Sequence, residues 1–307
     1  MSVGCVLKNL YCVKMGLKSD KNGVKAQLKT RFPQAFRDFE TLIDARDASM
    51  ATREETFSCI DGNVLMMSVP QNAHTLDAYV AIVTSVLKKA IATCFVTAVV
   101  FDDPSCLTKA KIQEQRKRDA ARQSTAVVCS SDLVGSIPQD DNYDKKSMEE
   151  ATNVHPLVQN RTTRLRFFDE VSVRVLRNLQ SQIDRWNASG HQGGHVIFDG
   201  IDIRGGDRPL GSPRDPQIVS SSEAMATLFA RTISIGEGDL KLADLGRRAR
   251  TLSEEGNDSF DKIKLSLCTT IDTDSFAIEL LEEAKRNKQL GGNKKPFNTL
   301  ILSLIHI

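Results

Sequence analysis

No C-x-x-C pair occurs anywhere in the sequence, although it holds seven cysteines, Cys5, Cys12, Cys59, Cys94, Cys106, Cys129 and Cys268. Thiols scattered in this way point away from a zinc ribbon or a disulfide framework and toward a reducing compartment, so an intracellular, nuclear or cytoplasmic protein is expected. No apolar run approaches the ~20 residues that cross a bilayer. The first twenty residues also lack the uninterrupted apolar core of a secretory signal, and no membrane partner is expected. Lys8, Lys14 and Lys18 precede the first acid, Asp20, but the stretch has no Arg, which leaves only a weak transit-peptide signal. A formal net charge of +2 gives no sign of a partner class, and the oligomeric state is not legible. What is present is 307 residues, 40% hydrophobic and 26% charged, enough for one large or two modest cores.

Along the chain, residues 1–22 form an extension of unclear structure, and 23–33 read as a short basic helix stopped by Pro33. Residues 34–54 look helical and solvated. The run Phe57 to Asn63 is a short strand ending in Asp61 and a glycine turn, and Leu76 to Ala92 has helical apolar spacing. Phe95 to Phe101 is a continuous β-branched run that suits a buried parallel strand, followed by Asp102 and Asp103. Residues 107–123 are a strongly basic helix candidate, 124–160 a polar stretch expected to be a flexible insertion, and Phe167 to Trp186 a helix. A third strand, His195 to Gly200, reads as ending in an acid, Asp199, and 201–222, rich in Gly, Pro, Arg and Ser, reads as a second inserted surface loop. Glu223 to Arg231 is a helix, Lys264 to Ile271 a strand, Phe276 to Arg286 a helix and Phe297 to Ile307 a last apolar run.

Between them lies Gly236-Glu237-Gly238-Asp239-Leu240-Lys241-Leu242, two acids at the start of a helix with glycines on either side of the first. Acids suit a helix N-terminus, and a plain acidic cap before an amphipathic run of Leu240, Leu242 and Leu245 would account for them. Their company gives a second reading. Strands alternating with helices predict an α/β fold with a mainly parallel central sheet flanked by helices, and such sheets collect ligands at the carboxyl ends of their strands. Asp61, Asp102, Asp272 and Asp274 sit at strand ends and would converge beside Glu237 and Asp239. Like charges crowded together call for cations. Hard divalent ions, Mg²⁺ or Mn²⁺, are the natural partners, and a pair of ions is a common device for phosphodiester cleavage.

These residues resemble the metal-dependent 5′ nucleases with a PIN-like core, a group that includes the flap endonucleases and the 5′→3′ exoribonucleases. Ile60-Asp61-Gly62-Asn63 and Val100-Phe101-Asp102 look like the group's first two metal strands. Gly236-Glu237-Gly238-Asp239-Leu240-Lys241 is similar to the exoribonucleases' glycine-glutamate-glycine-glutamate helix start, with Asp239 in place of the second Glu. Ile271-Asp272-Thr273-Asp274 resembles the paired aspartates of the second metal site. The likeness runs in patches over roughly residues 56 to 285. It implies two ions held by Asp61, Asp102, Glu237, Asp239, Asp272 and Asp274, acting on single-stranded RNA with a 5′-phosphate or, in the other branch, on a DNA flap.

The basic helix separates the branches. Lys111, Gln115, Arg118 and Arg122 fall at i, i+4, i+7 and i+11 and share one helix face, suited to a terminal phosphate. The run Ala110-Lys111 to Arg118 is similar to the exoribonucleases; in the flap-endonuclease register Lys109 and Arg116 carry the phosphate instead. A solvated basic face without a ligand is the plain alternative. Asp119 departs from the exoribonuclease pattern, which has a second Arg there, and the interval from Asp102 to Glu237 is long for either branch. Finally, Leu302 to Ile307 is what CTG TCT CTT ATA CAC ATC encodes, a string like a transposase adapter end. The nuclease core is therefore expected over 23–301, with 302–307 as a truncation or adapter-derived tail. An inactive nucleic-acid-binding relative that keeps only the fold is the remaining alternative.

Overall fold

The computed structural model describes residues 42–103, 112–113, 117, 144–189, 194–209, 211–233, 235–270, 278 and 298–302. Its centre is a six-stranded sheet in the order β4-β3-β2-β1-β5-β6. The strands are β1 (Thr56–Asp61), β2 (Val96–Val100), β3 (His195–Ile201), β4 (Gln217–Ser220), β5 (Leu265–Thr269) and β6 (Asn298–Leu302). All neighbours pair in parallel except the edge strand β4, which runs antiparallel to β3. Every residue of β1, β2 and β5 is buried, as expected of parallel strands covered on both faces. The α/β reading with a mainly parallel sheet is thus met.

The helices around it are α1 (Leu42–Ala48), α2 (Gly62–Met67), α3 (Leu76–Thr93), α4 (Lys145–Glu150), α5 (His155–Gln159), α6 (Arg161–Ala188), α7 (Glu223–Phe229) and α8 (Gly238–Glu254). Helix α3 starts where the Thr75 hydroxyl accepts the Ala78 amide at 3.2 Å. Its buried residues Leu76, Tyr79, Val80, Val83 and Leu87 follow the helical spacing. They pack with Phe167, Val171, Val175 and Leu179 of α6 against Ile60, Val99 and Phe198 of the sheet. On the opposite face Leu242, Leu245, Ala249 and Leu252 of α8 meet Phe57, Cys59, Val96, Ala98 and Ile197. The two-residue alternation of the strands thus sends Phe57 and Cys59 to one layer and Ile60 to the other.

Four sequence expectations change here. Leu240 is 46% exposed, and Lys241 takes a buried place on the inner stripe of α8 instead. Within 124–160 the described residues include α4 and α5, where Met148, Leu157 and Val158 reach the core. Within 201–222 the chain makes a 3-10 turn at Gly205–Asp207 and then β4. A buried ion pair anchors that stretch, Arg214 donating to both carboxylate oxygens of Asp169 at 2.9 and 2.7 Å, while the exposed Arg204 donates to those of the buried Asp202 at 2.9 and 2.7 Å. Of the expected helical, solvated stretch 34–54, residues 34–41 lie outside the described residues; 42–54 hold α1 and the start of a 3-10 turn at Arg53–Glu55, and Ala45 is buried instead of solvated. The extension 1–22, the basic helix of 23–33, the helix of 276–286 apart from residue 278, and residues 303–307 lie outside the described residues.

Candidate functional site

Chain order reverses across β1: β2, β3 and β4 extend to one side of it, and β5 and β6 to the other. In open parallel sheets the crevice at such a reversal, beyond the carboxyl ends of the strands, is where ligands lodge. Asp61 ends β1 at that point. Its carboxylate accepts the Val64 amide at 3.1 Å and so caps α2. Gly62 follows because nothing larger fits. A Cβ there would lie 2.6 Å from the Phe101 ring and 2.7 Å from the Val100 carbonyl oxygen.

Asp102 stands just past β2. Its Oδ1 accepts the Gly238 amide, the first of α8, at 2.7 Å, while the Asp103 amide donates to the Gly236 carbonyl, also at 2.7 Å. The glycine-rich turn is thereby fastened to the end of β2 from both sides. Gly238 allows the approach, since a Cβ there would lie 3.2 Å from Asp102 Oδ1. Glu237 occupies the N-cap position of α8 and Asp239 its first turn.

Three of the six predicted metal residues therefore act on one another. Asp61 is 8% exposed, and its carboxyl is pushed up to about 7 by burial first and then by the charges of Asp239 and Asp102, against the amides of Val64 and Asn63. Glu237 is brought to the same turn. Asp272 and Asp274 lie outside the described residues, as do Lys109, Lys111, Gln115, Arg116, Arg118 and Arg122. Among the described residues no group of three or more His, Cys, Asp or Glu side chains gathers closely enough to hold an ion unaided. The described donors are all carboxylates, the oxygen ligands a hard dication takes, and the charges of Asp239 and Asp102 both disfavour ionisation of the buried Asp61.

Sequence reasoning missed the cations beside this edge. Lys241 is 3% exposed; its Nζ donates to the Phe101 carbonyl at 2.8 Å and lies 3.2 Å from Asp199 Oδ1. Arg231 binds both Asp199 and Asp244. Asp199 is thus a buried counter-charge within β3. Gly200, at φ +91°, makes room for Lys241: a Cβ there would lie 2.5 Å from Nζ. The Asp-Gly pair inside an apolar strand was the available signal. Compared with known proteins, the chain matches no protein-family model, no curated protein and no solved structure. Among the described residues no helix is long and apolar enough to cross a membrane.

Proposed function

We propose that the chain is a 5′→3′ exoribonuclease-like nuclease that hydrolyses phosphodiester bonds from a 5′-monophosphorylated end. One observation supports the reading: at the carboxyl edge where strand order reverses, the charges of Asp102, just past a strand, and Asp239, at a helix start, both act on Asp61 at the end of the neighbouring strand. Asp61, Asp102, Glu237, Asp239, Asp272 and Asp274 would hold two ions, Mg²⁺ or Mn²⁺. Bound there, such ions supply an activated water and stabilise charge developing on the phosphate. The residues of this chain fix the donors: Asp102 and Gly238 hold α8 against β2, and α2 holds the Asp61 carboxylate in place.

The test is hydrolysis of a 3′-labelled, 5′-monophosphorylated single-stranded RNA with Mg²⁺ or Mn²⁺. Asp61→Asn, Asp102→Asn and Asp239→Asn should each lower the rate by on the order of a hundredfold or more. The absence of metal-dependent cleavage of both this RNA and a DNA flap would overturn the reading. A second reading, a nucleic-acid-binding relative without hydrolysis, is favoured by the structural employment of two of these carboxylates, one as a cap and one as a latch. Metal-independent RNA binding by a chain that cleaves nothing would establish it.

A further inference from the structure

A separate polar cavity of about 460 Å³ opens beside the 3-10 turn that follows β3. Helix α4 and the early turns of α6 form its walls, and Gly206 lets them close on the turn: a Cβ there would lie 2.8 Å from that of Lys145. Four cationic side chains line it, Lys145, Lys146, Arg166 and Arg208, together with the carboxylates of Asp144, Glu149 and Asp207.

Arg166 is 7% exposed, and its Nη2 donates to the carbonyls of Gly206 and Arg208, which fixes the guanidinium plane. Its Nε is buried with no hydrogen-bond partner. An unmet N–H on a buried cation is costly, and it leaves Arg166 with hydrogen-bonding capacity that its two carbonyl partners do not use. Arg208 has only 13% of its side chain exposed, and its Nη1 stands 3.8 Å from Asp202 Oδ2, too far for a hydrogen bond. Burial first, and then the charge of Arg208, hold Arg166 below its ordinary value.

None of the lining acids holds the Arg166 or Arg208 side chain by a hydrogen bond. Asp144 accepts the amide and hydroxyl of Ser147, each at 2.8 Å, in capping α4. Asp207 pairs with Lys145 at 3.2 Å, Glu150 with Lys146 at 3.7 Å and Glu149 with Arg174, so the two lysines contribute charge that is partly offset. Glu170 accepts from Arg174 at 2.6 Å and from the Gly206 amide at 2.7 Å. Asp144, Asp207 and Glu170 therefore offset the charge on Arg166 through space while their hydrogen bonds go to other donors.

We infer that this cavity is an oxyanion site for a phosphate group, with Arg166 and Arg208 as its forked donors and Lys145 and Lys146 adding positive charge. Planar guanidinium forks match the oxygens of phosphate, which offers more of them than a carboxylate, and the lining's four cations exceed its three carboxylates. The inference stands apart from the nuclease reading and uses none of its residues.

The test is calorimetry of the full chain with inorganic phosphate, and with acetate at matched ionic strength. Saturable phosphate binding in the millimolar range, with none for acetate, is expected. Because Arg166 also ties two backbone carbonyls, Arg208→Gln and Lys145→Gln decide the matter, and Arg208→Gln should weaken binding about tenfold or more. An RNA oligonucleotide without terminal phosphates distinguishes the sources: displacement of phosphate by it means an internal phosphodiester, and displacement only by a nucleoside monophosphate means a terminal or free phosphate. Either result supports the site. No saturable phosphate binding, equal binding of acetate, or an Arg208→Gln protein that binds phosphate like the wild type overturns it.

Discussion

Asp102 Oδ1 and the Gly238 amide are 2.7 Å apart, so the carboxylate after β2 and the first residue of α8 move as one unit. The bond spends an orphan N–H of the helix on an acid that the helix dipole also favours. It brings Asp239, one residue on, within electrostatic reach of Asp61 at the end of the neighbouring strand. The arrangement depends on two positions without a side chain, Gly62 and Gly238.

Substitution at those positions should show a graded cost. Gly62→Ala drives a Cβ into the Phe101 ring and the Val100 carbonyl, and overpacking of this kind costs about 1–3 kcal/mol. Gly238→Ala has one tight neighbour, Asp102 Oδ1 at 3.2 Å, and should cost less while moving that carboxylate. Urea unfolding measures both. Equal stability of Gly62→Ala and wild type would show that the contact relaxes freely.

The sheet was legible because its signals are local: a β-branched run over 95–101, a short apolar run over 264–271, and the helical spacing from Leu76 to Leu87 each survive without knowledge of their neighbours. Asp61 and Asp102 were legible as strand ends for the same reason. Lys241 was not, because its charge argues for solvent and only its distant partners, Asp199 and the Phe101 carbonyl, explain its burial. The folded stretch 201–222 was hidden likewise. Its Gly, Pro and Arg content reads as loop, whereas Arg214 and Asp169, far apart in sequence, hold it in place.

Stability should depend on pH through Asp61. Its carboxyl is raised from 3.8 to about 7, so the folded chain keeps a proton that the unfolded chain releases. Its contribution is therefore full at low pH, falls as pH rises from about 4 to about 7, and is level above that, a loss of at most a few kcal/mol. Asp61→Asn, which keeps an oxygen for the Val64 amide, should flatten this slope in metal-free buffer and melt higher than wild type at neutral pH. An unchanged slope in the variant would assign the pH dependence to other groups.

Removing the buried cation should be costly. Lys241→Met leaves the Phe101 carbonyl without its donor and Asp199 with Arg231 alone. Breaking one partner of a buried pair costs about 3–5 kcal/mol, reduced here because Arg231 remains. A loss below about 1 kcal/mol in chemical denaturation would mean that water replaces the ammonium at no great cost.

Divalent ions should stabilise the chain by mass action. Mg²⁺ or Mn²⁺ at millimolar concentration is expected to raise the melting temperature, and Asp102→Ala combined with Glu237→Ala to abolish the rise. Calorimetry that detects no ion binding to the wild-type chain would remove the catalytic reading and leave the binding relative.

The two nuclease branches divide over which stripe of the basic run at 107–123 holds the 5′ end. If Lys111, Gln115 and Arg118 form the phosphate pocket, a 5′-monophosphorylated single-stranded RNA should bind more tightly than the same strand with a 5′-hydroxyl. The hydroxyl form leaves those donors unmatched. Charge-assisted contacts contribute roughly 1.5–3 kcal/mol each, less where water screens them, so about a tenfold preference or more is expected. Ca²⁺ in place of Mg²⁺ permits the comparison at equilibrium if cleavage is slow. Lys111→Ala and Arg118→Ala should erase the preference yet keep much of the salt-sensitive affinity for the backbone, because that affinity is spread over many phosphates. If Lys109→Ala and Arg116→Ala erase it instead, or a branched DNA flap outcompetes the phosphorylated RNA, the flap-endonuclease register is the better one.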